Sequence, residues 1–263
     1  MEKYYNEFIK FIQKYKLLLI VILISLILLC LYRGRGVALI YHGRVNKILN
    51  HYDKIKHNLR INDKFKDKSI AICLFGIHYQ ENYKHHRLGT ININFEKYVN
   101  NIQNFFDGFK TKDYYIVTNN SPIQNKLYDQ YDPKMILYTQ KGRDYKILMI
   151  LKYLRDNYNE YDFVAISRID IFYMIDLYDI DTEKLNMISI LERPNLICDN
   201  FYLFPYKYLD TMINIFQNIK EYTTHKRIPS HGLKNIFGKT MGINYLKNEN
   251  TDVWSLTSYY IHI

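Results

Sequence analysis

The segment Asp162-Phe-Val-Ala-Ile-Ser-Arg-Ile-Asp170 is where residue types and spacing come nearest to chemistry. An apolar run that reads as a strand releases Ser167, Arg168 and Asp170 at its carboxyl end, the edge of an open α/β sheet at which ligands bind. Arg168 and Asp170 are two residues apart, so an extended chain points both to one side. A guanidinium takes phosphate oxygens in pairs and a carboxylate takes a hard divalent ion, so together they suit a metal-bound diphosphate. The same two residues would also serve as a structural ion pair capping the strand end, because buried charges are usually paired.

Other polar residues are weaker candidates. A literal Asp-x-Asp occurs at Asp179-Ile180-Asp181, but Thr182-Glu183-Lys184 after it reads as a turn or helix start, which makes it a loop or cap first and a backup metal site second. His85 and His86 are adjacent in a polar stretch and point in different directions, which favours a surface loop over a metal site; that loop, residues 77–91, could close over a ligand near the first strand. Cysteines at positions 30, 73 and 198 are too few and too scattered for a disulfide framework or a zinc cluster, and Cys198 has no identifiable base beside it. Asn119-Asn120-Ser121 is a glycosylation sequon, meaningful only if the domain faces a secretory lumen. Gly-x-Gly-x-x-Gly, Walker and His-Glu-x-x-His patterns are absent, so dehydrogenase, NTPase and metalloprotease readings lack their usual marks.

The elements that must position these residues alternate between short β-rich runs and longer helical ones, the pattern of an α/β domain with a mostly parallel sheet. Strands are predicted over 69–75, 114–118, 135–138, 162–167, 187–191 and 201–204. Helices are predicted over 94–109, with Phe95, Tyr98, Val99, Ile102, Phe105, Phe106 and Phe109 on one face and Asn94 as cap, and from Ser121-Pro122 onward. Further helices are predicted over 144–158, 206–221 and briefly after Ser230-His231. No internal repeat or second boundary follows position 68, so residues 69–263 read as one domain.

The 263 residues carry a net charge of +10, which first suggests a nucleic acid or an anionic membrane as partner. Residues 1–68 hold 14 Lys and Arg against 5 Asp and Glu, a net of +9, so the remainder is nearly neutral, which argues against nucleic acid. The run LLLIVILISLILLCLY at 17–32 has Lys14 and Lys16 before it and Arg33 and Arg35 after it. As a helix it covers roughly 24 Å, enough to cross a bilayer with help from flanking Tyr, Lys and Arg side chains. It lacks the small-residue cleavage site of a signal peptide, so it reads as an uncleaved transmembrane signal anchor with a lipid bilayer as partner. Residues 1–16 are then an N-terminal tail and 33–68 a basic stem. Similar positive charge on both sides leaves the orientation undecided by charge. The 27 Tyr and the abundant Asn, Ile and Lys are what AT-rich codons produce, as in some large DNA viruses, and carry no functional weight.

SIAICLFG at the start of the domain, the long helix before YDFVAISRID, CDNFYLFP and SHGLKN together resemble small glycosyltransferases of the GT-A fold, over most of residues 69–240. The resemblance implies a single GT-A-like, Rossmann-like domain using a nucleotide-sugar donor and a glycan or glycoprotein acceptor, with a type II orientation in the membrane. In that family the central strand usually ends in Asp-x-Asp, which holds Mn²⁺ or Mg²⁺ against the diphosphate; here Arg168 stands first and Asp170 second. The resemblance assigns Arg168 and Asp170 to the donor diphosphate, Asp170 and His231 to the metal, and Asp199 to the acceptor hydroxyl as catalytic base. Arg168 in the first place makes metal dependence an open point, since it could supply positive charge itself. The alternative is a catalytically inactive GT-A relative that serves as a membrane-tethered binding or scaffolding module.

Overall fold

The computed structural model describes residues 63–85, 89–157, 161–171, 173, 180–188, 200–222 and 229–246. In chain order these form β1 (Ser69–Phe75), β2 (Tyr79–His85), β3 (Gly89–Asn94), α1 (Val99–Phe105), β4 (Thr111–Thr118), α2 (Lys126–Tyr131), β5 (Met135–Tyr138) and α3 (Arg143–Asn157). They continue with β6 (Phe163–Arg168), β7 (Leu185–Ile188), β8 (Phe201–Pro205), α4 (Leu209–Gln217), α5 (Ile219–Tyr222), α6 (Pro229–Thr240) and β9 (Ile243–Leu246).

Six consecutive apolar side chains from Ile70 to Phe75 cannot share one face of a pleated strand, so both faces of β1 need cover. All six are buried. β1 accordingly lies inside a seven-stranded sheet of order β5-β4-β1-β6-β8-β7-β9. β5, β4, β1 and β6 run parallel, β8 is antiparallel to β6 and β7, and β9 is parallel to β7. The chain steps outward from β1 to β4 and β5, then returns through α3 to place β6 on the other side of β1. That reversal makes the carboxyl ends of β1 and β6 a topological switch point, the place where such sheets open a crevice.

Alternate residues of β1 divide between two layers. Ala71, Cys73 and Phe75 join Tyr115 and Val117 under Ile147, Ile150, Leu151 and Leu154 of α3 and Met212 and Phe216 of α4. The other face carries an aromatic layer in which Phe163 meets Phe65 and Phe109 at 5.6 and 5.9 Å, and Phe105 meets Phe201 at 5.6 Å and stacks on Tyr173 at 4.0 Å. Asp162 fixes the amino ends of β1 and β6: its carboxylate accepts from the Ser69 amide (2.8 Å) and hydroxyl (3.1 Å) and from Lys68 Nζ (2.9 Å). At the carboxyl ends the Ile169 amide donates to the Phe75 carbonyl at 2.9 Å.

The mostly parallel α/β sheet is as expected, and several boundaries differ. The apolar face predicted over 94–109 is buried, but Asn94 caps a 3-10 turn at Phe95–Lys97 and the α-helix behind it ends at Phe105. The helix expected at Ser121-Pro122 starts at Lys126, because Ser121 first closes a turn with Ile123 and Gln124. Residues 77–91, read as a loop, hold β2 and the start of β3, which pair antiparallel. α6 is twelve residues long rather than one short turn, and β9 was not foreseen. Residues 63–68 of the predicted stem pack with the domain through buried Phe65. The tail, the predicted anchor at 17–32 and the stem up to residue 62 lie outside the described residues, among which no helix is long and apolar enough to cross a membrane.

Asn101 of α1 holds the segment that follows β6. Its amide donates to the Tyr173 carbonyl at 2.8 Å and accepts from the Tyr173 amide at 2.5 Å, both in the interior. Asn101→Ala strands two buried backbone groups, at about 1–3 kcal/mol each. The expected result is a fall of about 2–4 kcal/mol in unfolding free energy, read from urea denaturation; a change within about 0.5 kcal/mol would show that this tether is not needed.

Candidate active site at the strand switch point

A cavity of about 300 Å³ opens at the carboxyl ends of β1, β4 and β6. Its wall includes Gly76, Asn119, Lys141, Arg143, Lys146 and Arg168, and no carboxylate is among its described lining residues. A larger, more open depression of about 510 Å³ lies at the opposite edge, beside Lys68, Asp162, Glu183 and Lys207. Its lysines are paired, Lys68 with Asp162 and Lys207 with Glu183; at the first cavity Arg143 pairs with Asp144 and Arg168 with Asp170, while Lys141 and Lys146 have no ion pair among the described residues.

Arg168 ends β6, and the chain turns at Ile169 to bring Asp170 back beneath it. Arg168 Nε and Nη2 donate to the two carboxylate oxygens of Asp170 at 2.7 and 2.5 Å. Asp170 is wholly buried while the Arg168 side chain keeps 27% exposure, so the carboxylate serves as a base plate that orients the guanidinium at the cavity wall. The Arg168 amide donates to the carbonyl of Asn200 at 3.2 Å, tying the site to the start of β8.

Lys146, in the first turn of α3, is the residue that the sequence reading passed over. It is 5% exposed, yet its ammonium donates 2.8 Å to the carbonyl of Gly76 and has no ion-pair partner among the described residues. Burial, and then the nearby Arg168 charge, lower its pKa from the ordinary lysine value, with Asp170 opposing. Its position was visible in principle: Lys146 stands four and eight residues before Ile150 and Leu154, in the buried stripe of the helix.

His78, also passed over, ties two walls of the cavity together. The Thr118 hydroxyl has only acceptors beside it in Gly76 O (3.0 Å) and Asn119 Oδ1 (3.2 Å), so its proton goes to one of them. Thr118 Oγ1 must then accept from His78 Nδ1 at 2.9 Å, which leaves Nε2 to accept from the Ser121 hydroxyl at 2.5 Å. Asn119 is engaged as well: its Nδ2 donates to the carbonyls of Tyr79 and Asn120, so a glycan on the sequon would have to displace both bonds.

Of the remaining candidates, Asp181 is a local cap, accepting from the Glu183 amide at 2.9 Å and pairing with Lys184 at 2.8 Å, as its loop reading expected. Asp179, Cys198, Asp199 and His86 lie outside the described residues. His85 ends β2 and His231 is the third residue of α6, and the side chains of both are outside the described set. Of the two residues that the resemblance assigns to a divalent ion, Asp170 has a described side chain and His231 does not. Both oxygens of Asp170 are bonded to Arg168, and no group of three or more His, Cys, Asp or Glu comes together among the described residues.

No family model and no curated protein matches the chain. Among solved structures it is similar to a protein of Desulfovibrio desulfuricans G20 named for a nucleotide-diphospho-sugar transferase, at 11% identity and a TM-score of 0.44, over 67% of this chain and 79% of that one. It is also similar to 4-diphosphocytidyl-2C-methyl-D-erythritol synthase of Anaerococcus prevotii DSM 20548, at 9% identity and a TM-score of 0.44, over 74% and 91%. A protein of Aquifex aeolicus VF5 whose name states no activity matches at 10% identity and a TM-score of 0.43, over 76% and 94%. Scores at that level leave the fold resting on the strand order and register described above.

Burial, with the Lys146 charge adding to it, pushes the His78 pKa down to about 4. In the unfolded chain it returns to about 6.5, so between these values the unfolded state binds more protons and stability falls as pH falls. At 1.36 kcal/mol per unit the loss is about 3 kcal/mol once the pH is below about 4. Urea midpoints measured across this window are expected to drop, and to drop less steeply in His78→Gln; equal slopes would remove His78 as the cause.

Proposed function

We propose that the domain binds a nucleotide sugar through its diphosphate and transfers the sugar to a glycan or glycoprotein acceptor, held at a membrane by residues 17–32. One observation carries this reading: four cationic residues, Lys141, Arg143, Lys146 and Arg168, two of them without an ion pair among the described residues, line a cavity with no carboxylate among its described lining residues, at the switch point of a mostly parallel sheet. Such a crevice is where these sheets take nucleotides, and a concentration of cations there selects phosphate oxygens. Arg168, oriented by Asp170, takes diphosphate oxygens and stabilises the charge that grows on them as the sugar leaves. In transfer, the bond from the anomeric carbon to the diphosphate oxygen breaks and its electron pair stays on that oxygen. The acceptor oxygen bonds to the anomeric carbon, and its proton goes to a base.

Asp199 is the candidate base. It directly precedes Asn200, whose carbonyl accepts from the Arg168 amide, so its neighbour in sequence is bonded to the diphosphate residue. The resemblance to GT-A enzymes adds His231 to the site and a type II orientation to the anchor.

A second reading, a catalytically inactive binding module, is favoured by the absence of any carboxylate from the described cavity wall. Turnover separates the two. The full-length protein is expected to hydrolyse or transfer from a UDP- or GDP-sugar. The double variant Arg168→Gln/Asp170→Asn, which removes both charges together and strands neither, is expected to lose activity tenfold or more, about 1.4 kcal/mol or beyond, at an unchanged melting temperature. Donor binding without turnover would support the module; unchanged turnover in the double variant would overturn the assignment of this site.

A further inference from the structure

We propose that Lys146 is a built-in counter-cation of this site, so that the diphosphate is bound by protein charge alone, without a divalent ion. The proposal rests on the cavity being a diphosphate site and states how the charge of that ligand is met.

A lysine inside the apolar stripe of a helix displaces an aliphatic residue that would pack with Ile150 and Leu154. Its ammonium must be largely withdrawn from bulk water, and one hydrogen bond to the Gly76 carbonyl does not offset that cost. An ammonium has three protons to donate, and a single acceptor uses one. The carboxylate that could have neutralised it, Asp170, gives both oxygens to Arg168. Lys146 is therefore a positive charge at the cavity wall with no ion pair among the described residues and only the shared charge of Asp170 nearby, and an anionic ligand supplies the missing partner.

Three further features point the same way. Lys141 has its ammonium 4.2 Å from the Tyr145 ring centre and no ion pair among the described residues. Gly142 and Arg143 put the amino end of the fifteen-residue α3, with the positive end of its dipole, on the same wall. A divalent ion placed there would meet Lys146 and Arg168, with no carboxylate among the described residues of the wall to bind it. A tether for the Gly76 carbonyl would not require a charge, whereas a diphosphate site does.

The test is calorimetric titration of the full-length protein with inorganic pyrophosphate in EDTA, repeated with MnCl₂, for the wild type and Lys146→Met. Pyrophosphate is expected to bind in EDTA, Mn²⁺ is expected to tighten binding by less than about threefold, and Lys146→Met is expected to weaken it by about ten- to a hundredfold. Because methionine suits the apolar stripe, Lys146→Met is also expected to melt no lower than the wild type. A purely structural lysine gives the opposite pair of results: a lower melting temperature with unchanged pyrophosphate affinity. Should Lys146→Met fail to fold, Lys146→Gln carries the same comparison. Binding that needs Mn²⁺ would overturn this proposal and leave the diphosphate site standing. Absence of binding to pyrophosphate and to UDP- and GDP-sugars under both conditions would overturn the site itself.

Discussion

The carbonyl oxygen of Gly76 receives the Thr118 hydroxyl from the end of β4 and the Lys146 ammonium from the first turn of α3. The carboxyl edge of the sheet depends on that meeting. Gly76 can offer its carbonyl there because its φ is +127°, a conformation that side chains with a Cβ rarely adopt. A Cβ at this position would lie 3.5 Å from Asp170 Oδ1, an ordinary contact, so the backbone angle and not lack of space calls for glycine. The turn after β1, the end of β4 and the start of α3 thus meet at one residue without a side chain.

Charges are handled differently at the two ends of the sheet. At the amino ends Asp162 meets Lys68 and the Ser69 amide and hydroxyl, and it gathers donors without excluding water. At the carboxyl ends a fully buried carboxylate is matched by one guanidinium, and a buried ammonium has only a carbonyl. Breaking either buried arrangement from one side leaves a charge without its partner, which costs more than the pair contributes when intact. A site of this kind is held at some expense to stability, as expected where a ligand completes the electrostatics.

Parts of this arrangement are written locally in the chain and parts are not. β1 and β6 are legible because unbroken apolar runs need cover on both faces, and Arg168 and Asp170 because two residues of spacing suffice to bring them together. β2 is illegible for the converse reason: YQENYKH contains no apolar run, and the strand exists through pairing with β3. His78 finds its partners 40 and 43 residues away, and Lys146 its acceptor 70 residues away, so neither role is encoded near the residue itself. Lys146 nonetheless left a trace as a charge at an apolar position of a helix. Such a residue is more informative than a surface cluster of the same charge, because burial makes its presence costly.

The same distinction separates global from local charge. The chain carries +10, nearly all of it in the first 68 residues, and the rest sums to almost nothing. A neutral sum does not make a neutral surface. Across the domain, lysines and arginines are offset by near neighbours, as in Lys112 with Asp107, Lys126 with Glu96 and Arg155 with Asp156. Around the switch-point cavity the offset is incomplete: Arg143 pairs with Asp144 and Arg168 with Asp170, while Lys141 and the buried Lys146 have no ion pair among the described residues, and at Lys146 a charge acts with less screening than at the surface. Net charge therefore says little about what this domain can bind. A buried ammonium at the meeting point of three strand ends, with no ion pair among the described residues, says more, because on the reading proposed above it favours an anion at that place.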